Sequence, residues 1–483
     1  MIRVRVILLI IGYLLSFLGI SMLFPLIAEL YYVRQDWESF ATSSAVTLFV
    51  GISLSITCKE NKVQNLSIRE AFIVTLFSWI MLVIFAALPF YLSNLQLSYH
   101  DAFFESMSGL TTTGATIIQD LELASIGILI WRSLLEWVGG IGIIVMAIAV
   151  LPFLKVGGMQ LFKTESSDKT HKIMPRVRQL SAAIFLIYLA FTVICAILLH
   201  YAGMNVFDAV LHAMTTVSTG GFSTYNESIG YFNSWKIEVI IIIFIILASI
   251  PFPIHIRLFQ GKISNIIKDQ QLIGFFTILI LSISITIFWL VSKLNIDFVE
   301  ALRLAAFNVT AIISTAGFAS TDYNLWGSSI LTFLFLISVI GGCTGSTTGG
   351  IKVFRLQVLY KTAKSQIFHL IQPHGIYKVQ YNGHSVSPNV ASAVMGFFLM
   401  FCFCFFILAI FLSLSGLDFI TSLSGAAATM ANLGPGLGEI IGPAGNYNSL
   451  NDLTKWVLSF GMLTGRLEIF TVFVFFSTIF WRD

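Results

Sequence analysis

Stretches of about twenty apolar residues recur from one end of this chain to the other, and charge rarely interrupts them. A helix of that length crosses the hydrocarbon core of a bilayer. Of the 483 residues, 57% are hydrophobic and 11% are charged, whereas a soluble domain carries about 25% charged residues. A water-soluble fold could not cover its surface with so few polar groups. The expectation is an all-α polytopic membrane protein in a lipid bilayer, with ten spans near 4–31, 40–57, 70–94, 123–153, 177–202, 232–256, 270–293, 325–360, 387–415 and 453–480. The first run is too long for a signal-peptide core and lacks a small-residue cleavage site, so it reads as a retained span. The five cysteines, Cys58, Cys195, Cys343, Cys402 and Cys404, lie in or beside apolar runs and read as packing residues rather than a disulfide framework. Cys402 and Cys404 fall on different sides of a helix, which does not suit a metal pair.

Basic residues set the orientation. Twenty of the 27 Lys and Arg, from Arg3 and Arg5 through Lys62, Lys155 and Lys352 to Arg482, fall on one predicted side. The excess of positive charge makes that side, and with it both termini, cytoplasmic. The other side carries acids such as Asp101, Asp208, Asp297, Asp322 and Asp418, a surface that would concentrate cations at an outer mouth. No basic arm suited to nucleic acid is present, and the eight His form no metal-ligand cluster. His369 and His374 are read as solvated residues of an inner loop.

Four shorter segments of moderate hydrophobicity lie between spans three and four, five and six, seven and eight, and nine and ten. They are too short to cross a bilayer and read as re-entrant half-helices, admissible at depth only where their backbone is buried or lines water. Each leads into a polar stretch: TTTGAT at 111–116, STGGF at 218–222, STAGF at 314–318 and NLGPG at 432–436. Gly114, Gly221, Gly317 and Gly434 occupy comparable places at spacings of 107, 96 and 117 residues, and Asp101, Asp208, Asp297 and Asp418 open the half-helices. The acids precede their glycines by 13, 13, 20 and 16 residues, so the repeat is degenerate. Its order of span, half-helix, Gly-rich turn and span nevertheless occurs four times, the kind of internal repetition that defines an architecture. Such turns suit an alkali cation. A cation that sheds its water needs oxygen in its place, and rings of backbone carbonyls supply it. Glycine allows positive φ without a side chain in the lumen, and the neighbouring hydroxyls add ligands. Half-helices aimed inward bring their partially negative C-terminal ends to the same point. Oxygen ligands match alkali ions, where His and Cys would suggest transition metals.

The loops TTTGAT, STGGFST, STAGF and NLGPGLG resemble the four selectivity-filter loops of the Trk/Ktr/HKT superfamily of K⁺ transporters. The two additional N-terminal spans, the GGCTGSTTGGIK run and the chain-end GRLEIFTVFVFF are most similar to its TrkH-type subunits. The resemblance covers essentially the whole chain. It implies a two-span unit over 1–69 and four membrane–pore–membrane units over 70–165, 166–265, 266–385 and 386–483 in pseudo-fourfold arrangement. The implied filter is Thr112, Thr113 and Gly114; Thr219, Gly220 and Gly221; Thr315, Ala316 and Gly317; and Asn432, Leu433 and Gly434. K⁺ would bind there, with no organic cofactor. The implied function is gated, channel-like K⁺ uptake across the bacterial inner membrane by a homodimer, regulated by a cytosolic TrkA-like ring on which alone a nucleotide is expected. With one firm glycine per strand, against two in the TVGYG of K⁺ channels, weaker discrimination against Na⁺ is implied.

Two features read as a gate. The eighth span is interrupted at 341–350 by five Gly, three Thr and a Ser, a run that cannot hold a helix when each Gly costs about 1 kcal/mol relative to Ala. The resemblance makes Gly341, Gly342, Gly345, Gly349 and Gly350 a movable plug inside the filter. A phosphate loop is the poorer reading, because the Gly-Lys-Ser/Thr ending is missing and Lys352 follows Ile351. Arg466 lies inside the last span, and the resemblance implies that it points into the pore below the filter and opposes cation entry; the alternative is a buried pair with Glu468 or Glu136. Arg132 and Glu136, spaced i,i+4, are read as a structural pair, Gly139, Gly140 and Gly142 as a helix contact, and Pro251 and Pro253 as a kink or end in the sixth span. An H⁺- or Na⁺-coupled symporter is the competing function. Paired broken helices would favour it, and the sequence shows only one clear break. An intramembrane enzyme lacks a constellation at depth, so the chain is read as no enzyme.

Overall fold

The computed structural model describes residues 2–32, 36–59, 66–149, 173–259, 261, 268–375 and 377–482. Lys62, Lys155, Lys163, Lys169, Lys172 and Lys262 of the basic side, the predicted end of the fourth span and the boundary at 165 lie outside the described residues.

The hydropathy pattern becomes an all-α membrane fold. Among the described residues seven helices are long and apolar enough to cross a bilayer: Val4–Tyr31, Trp37–Thr57, Ile68–Leu92, Ile126–Met146, Gln179–Tyr201, Gln270–Leu294 and Pro388–Leu414. The other three predicted spans are broken rather than continuous. Trp235–Ser249 turns by 98° into Phe252–Leu258, because Pro251 forces Ile250 into an extended conformation, ψ 145°. Asp452–Arg466 turns by 111° into Ile469–Phe475. The eighth span stops at Ser338 and resumes at Val353. The kink or end expected at Pro251 and Pro253 is thus present, the interruption at 341–350 is present, and the break after Arg466 is a third that the sequence reading did not expect. A small hairpin, Gln380–Tyr381 with His384–Ser385, is the one sheet among the described residues; its turn, Asn382-Gly383, has both φ positive as a tight hairpin requires.

The first two spans meet almost backbone to backbone. A Cβ on Gly12 would lie 2.9 Å from the Gly51 carbonyl, and one on Gly51 would lie 2.6 Å from the Ser16 nitrogen; the Ser44 hydroxyl donates to the Gly19 carbonyl at 2.8 Å. Small residues matter here because lipid leaves helices no hydrophobic drive to associate, and close packing must supply it. The pair is fastened to the rest of the molecule by Glu29, whose carboxylate caps the next unit by accepting the Gly127 N–H at 2.5 Å.

Four half-helices follow: Tyr99–Leu110, Val206–Val217, Phe298–Ile313 and Phe419–Ala431. Their N-caps are Ser98, Asn205, Asp297 and Asp418, each accepting a backbone N–H of the first turn, which satisfies one of the orphan donors of a helix start. The uneven acid spacing now has a cause. Asp101 and Asp208 sit three positions inside their helices, whereas Asp297 and Asp418 are the caps themselves. Counted from the cap, the glycines follow at 114 − 98, 221 − 205, 317 − 297 and 434 − 418, that is 16, 16, 20 and 16 residues. The third half-helix, at 16 residues, is simply one turn longer than the 12 of the first two.

Candidate functional site

Each half-helix ends in the same motif. The N–H groups of Thr112, Thr219, Thr315 and Asn432 donate to the carbonyls of Gly109, Thr216, Ile312 and Thr429, and those of Thr113, Gly220, Ala316 and Leu433 to Ser108, Thr215, Ala311 and Ala428. This pair of bonds is a Schellman turn, which requires a left-handed residue just past the helix. That residue usually is Gly. Here φ is +52° at Thr112, +54° at Thr219, +55° at Thr315 and +54° at Asn432. For β-branched Thr this conformation is a true outlier, costing about 1–3 kcal/mol where it persists. Two residues on, the chain is left-handed again at Gly114, Gly221, Gly317 and Gly434, with φ of +80°, +88°, +72° and +98°. Four stretches of differing sequence thus share one backbone course.

The four turns close on one another in order. A Cβ on Gly114 would lie 2.1 Å from the carbonyl oxygen of Gly220; on Gly221, 1.8 Å from that of Ala316; on Gly317, 2.1 Å from that of Leu433; and on Gly434, 2.6 Å from that of Thr113. Each glycine abuts the carbonyl just before the glycine of the next unit, and the fourth returns to the first. A ring is the only arrangement that satisfies all four contacts. The predicted residues Thr112–Gly114, Thr219–Gly221, Thr315–Gly317 and Asn432–Gly434 are therefore brought together, in cyclic sequence. Their side-chain oxygens include two, Thr112 Oγ1 and Asn432 Oδ1, that are buried with no hydrogen-bond partner among the described residues. A buried oxygen left unpaired costs about 1–3 kcal/mol, so a ring that keeps such atoms suits a cation arriving without its water.

A second layer holds the ring from behind, and it was not legible in the sequence. Glu105, His212 and Asn308 lie nine residues before their glycines and Ser424 ten before. Each clasps the strand two or three residues beyond the glycine. Glu105 accepts the Ile117 N–H at 3.0 Å, His212 Nε2 lies 3.0 Å from Ser223 Oγ, Asn308 accepts the Ser320 N–H at 3.2 Å, and Ser424 Oγ accepts the Leu437 N–H at 2.8 Å. Four different side chains do one job, so no repeat in residue type announces it. The expected pairing of Arg132 with Glu136 is corrected here. Arg132 Nε donates to Glu105 at 2.7 Å and its Nη1 to the Ser223 carbonyl at 2.8 Å, tying units one and two together. Glu136 instead accepts the Phe222 N–H at 3.2 Å and fills the space a Cβ on Gly220 would need, 2.3 Å from its Cδ. Gly139 and Gly140 do make close contacts, with the Leu110 carbonyl and with Ser218, but Gly142 has nothing within 4 Å. His369 lies on the helix Val353–Ile371, not in a loop.

Removing Arg132 would leave the Glu105 carboxylate buried and alone, and breaking such a pair costs about 3–5 kcal/mol. Arg132→Met is expected to lower the melting temperature of the detergent-purified protein by several degrees. The double variant R132M/E105Q is expected to recover most of that loss, and a melt of each checks it.

On the other side of the ring the three helix breaks meet. Residues 339–352 leave the eighth span and return to it. The excursion is pinched at its base where Gly341 N–H donates to the Ile351 carbonyl at 3.0 Å and Ile351 N–H to that of Val339 at 2.9 Å. Cys343 and Thr347 N–H groups bond the carbonyls of Ser249 and Ala248, at the break in the sixth span. The tip reaches the ring: the Thr347 and Thr219 hydroxyls are 3.1 Å apart, Gly349 N–H donates to Thr315 Oγ1 at 2.7 Å, and a Cβ on Gly349 would lie 3.0 Å from Cβ of Asn432. Gly345 and Gly350 have φ of +84° and +63°. Arg466, at the break in the tenth span, donates Nη1 to the Thr347 carbonyl at 2.9 Å. It pairs with neither Glu468 nor Glu136 within salt-bridge distance; Glu468 belongs to Arg355 at 2.6 Å. One cavity faces the ring from the half-helix N-cap side, lined by Gly114, Gly221, Gly317 and Pro435. Another lies beneath the loop, lined by Gly349, Lys352, Arg355, Arg466 and Glu468.

Comparison with known proteins agrees with this geometry. Residues 37–482 match the family model TrkH, described as a cation transport protein. The chain is 42% identical over 467 residues to the Trk system potassium uptake protein TrkI of Halomonas elongata, covering 96% of this chain and 94% of that one. It is 36% identical over 482 residues to the Trk system potassium uptake protein TrkH of Escherichia coli K12, covering 98% of each. The crystal structure of the potassium transporter TrkH from Vibrio parahaemolyticus superposes with a TM-score of 0.92 at 36% identity, covering all of both chains. A match of this extent in sequence and shape leaves one conclusion: the chain belongs to the TrkH family of cation transport proteins.

Proposed function

We propose that this protein takes up K⁺ through the centre of the four-turn ring. The observation that carries the reading is the cyclic contact of Gly114, Gly221, Gly317 and Gly434 with the next unit's carbonyl. It gathers backbone oxygen from four segments about one axis, at the C-terminal ends of four helices, where both hydration replacement and the helix dipoles favour a cation. K⁺ would be held by the carbonyls and hydroxyls of the twelve ring residues and would pass as cargo; no organic cofactor enters the reading. The excursion at 341–350 and the Arg466 guanidinium stand on the path beneath the ring and act as its gate. The relatives' names speak of a Trk system; the proposal extends to two copies of the chain, a cytosolic nucleotide-binding ring of TrkA type on the basic face, and residence in the inner membrane with both termini inside.

The test is K⁺-limited growth of a bacterium lacking its own K⁺ uptake. Expression is expected to restore growth at low K⁺, and added Na⁺ to compete only weakly. No rescue by a correctly inserted chain, co-expressed with its regulatory partner, would sink the reading. The three broken helices give coupled symport a specific observation in its favour, since broken helices mark ion sites in coupled transporters. Reversal potentials across pH and Na⁺ gradients separate the two: a value that follows K⁺ alone means conduction.

A further inference from the structure

The cavity beneath the loop is lined by three cationic side chains and one carboxylate, Lys352, Arg355, Arg466 and Glu468. Arg355 and Glu468 neutralise each other at 2.6 Å, and the Arg355 guanidinium lies 3.8 Å over the Phe397 ring. The other two charges have only neutral partners. Lys352 Nζ donates to the Thr348 carbonyl and, at 2.9 Å, to Thr348 Oγ1. Arg466 donates Nη1 to the Thr347 carbonyl, while its Nε and Nη2 are buried with no hydrogen-bond partner among the described residues. Arg466 as a whole is 3% exposed. Glu136, the next acid, is occupied by the Phe222 N–H. Taking a cation out of water without a counter-charge is among the most costly things a fold can do; Arg466 is such a cation, and the part-buried Lys352 adds a second positive charge to the same space.

We propose that this cavity binds a small monovalent anion, of the halide class, between Arg466 and Lys352. A water could accept from the free Nε and Nη2 of Arg466, but it would leave both charges uncompensated. The cavity holds about 30 Å³, and a single water needs about 10–15 Å³ of such space. That is room for an ion of halide size. The anion completes the hydrogen bonding of Arg466 and is attracted by Lys352 as well, so it is held by the arrangement in which Arg466 grips the Thr347 carbonyl. A ligand that binds one arrangement better than another shifts the population toward it, and the coupling is reciprocal. On the reading that residues 341–350 close the K⁺ path, anion binding therefore holds the path closed. K⁺ flux falls as halide on the loop side rises.

Two measurements test this on the full chain. Crystals soaked in bromide are expected to show an anomalous peak within hydrogen-bond distance of Arg466 and Lys352, lost in K352M and in R466M. In liposomes with equal K⁺ on the loop side, flux is expected to be severalfold lower in chloride than in gluconate, with the difference gone in K352M. A cavity holding water alone, or a bromide peak that survives K352M, overturns the proposal. Bromide bound in a chain that fails to move K⁺ keeps the site and removes the transport reading. K⁺ flux indifferent to chloride, with no bromide peak, removes the site and leaves the transport reading intact.

Discussion

Gly221→Ala is expected to lower the K⁺-over-Na⁺ flux ratio at least tenfold while the protein still folds. Two penalties add at this position. The φ of +88° puts an L side chain in a conformation costing roughly 1–2 kcal/mol. The methyl group would then stand 1.8 Å from the Ala316 carbonyl oxygen, an overlap that only movement relieves, and forcing extra volume into a packed site costs about 1–3 kcal/mol. The strain falls on carbonyls proposed to replace the water of the ion. A ring held open by even a few tenths of an ångström favours whichever cation keeps more of its own hydration. Every 1.4 kcal/mol is about tenfold, so strain of this size is ample. Global stability rests on the helix packing around the ring, so the variant should still insert and purify. Two comparisons make the test sharp. Gly142→Ala meets nothing within 4 Å and should leave the ratio unchanged. Gly220→Ala meets the end of the Glu136 side chain, which can swing aside, and should fall between. Rubidium and sodium uptake into proteoliposomes reads all three, and an unaltered ratio in correctly inserted Gly221→Ala would remove the ring from the ion path.

Much of this architecture was legible in the sequence because the bilayer imposes a length on every span, and because one turn had to be built four times. The hydropathy placed the spans, and the Gly and Thr/Asn pattern placed the ring residues. What the sequence hid has particular causes. The acid spacing of 13, 13, 20 and 16 mixed two helix positions, so the regular count from cap to glycine was invisible. Arg132 and Glu136 share a helix face at i,i+4, but Glu105 on a neighbouring half-helix lies closer to the guanidinium. The break in the sixth span carries its own signal in Pro251 and Pro253. The break after Arg466 carries no proline; it arises where Arg466 is drawn to Thr347 and Glu468 to Arg355, contacts that exist only after the units assemble. The four clasps behind the ring, Glu105, His212, Asn308 and Ser424, could have been sought as any polar residue about nine positions before each glycine. Nothing about their chemistry is shared, so residue type gave no lead.

Removing the obstruction beneath the ring should have the opposite effect on rate. Arg466→Ala is expected to raise unstimulated K⁺ flux by one to two orders of magnitude. A unit charge about 4 Å from a passing cation contributes roughly 4 kcal/mol at an effective dielectric near 20, and half of that already corresponds to a change of about thirtyfold. Excising residues 341–350 should act similarly and need not unfold the eighth span. Ile340 and Ile351 already form a bridge at its base, and Ile351 N–H donates to the Val339 carbonyl, so the cut ends lie side by side. The two changes should not add. Arg466 donates to the Thr347 carbonyl, so excision removes the group that positions the guanidinium, and the arginine change removes one of the bonds holding the loop at the ring. Joint variants should therefore conduct about as fast as the faster single one, with fluxes that multiply indicating two independent barriers instead. Selectivity supplies the internal control. Both changes lie below the four turns, so the K⁺-over-Na⁺ ratio should stay near that of the unaltered chain while the rate climbs. A rise in rate accompanied by lost selectivity would mean that the loop supports the ring rather than closing the path beneath it.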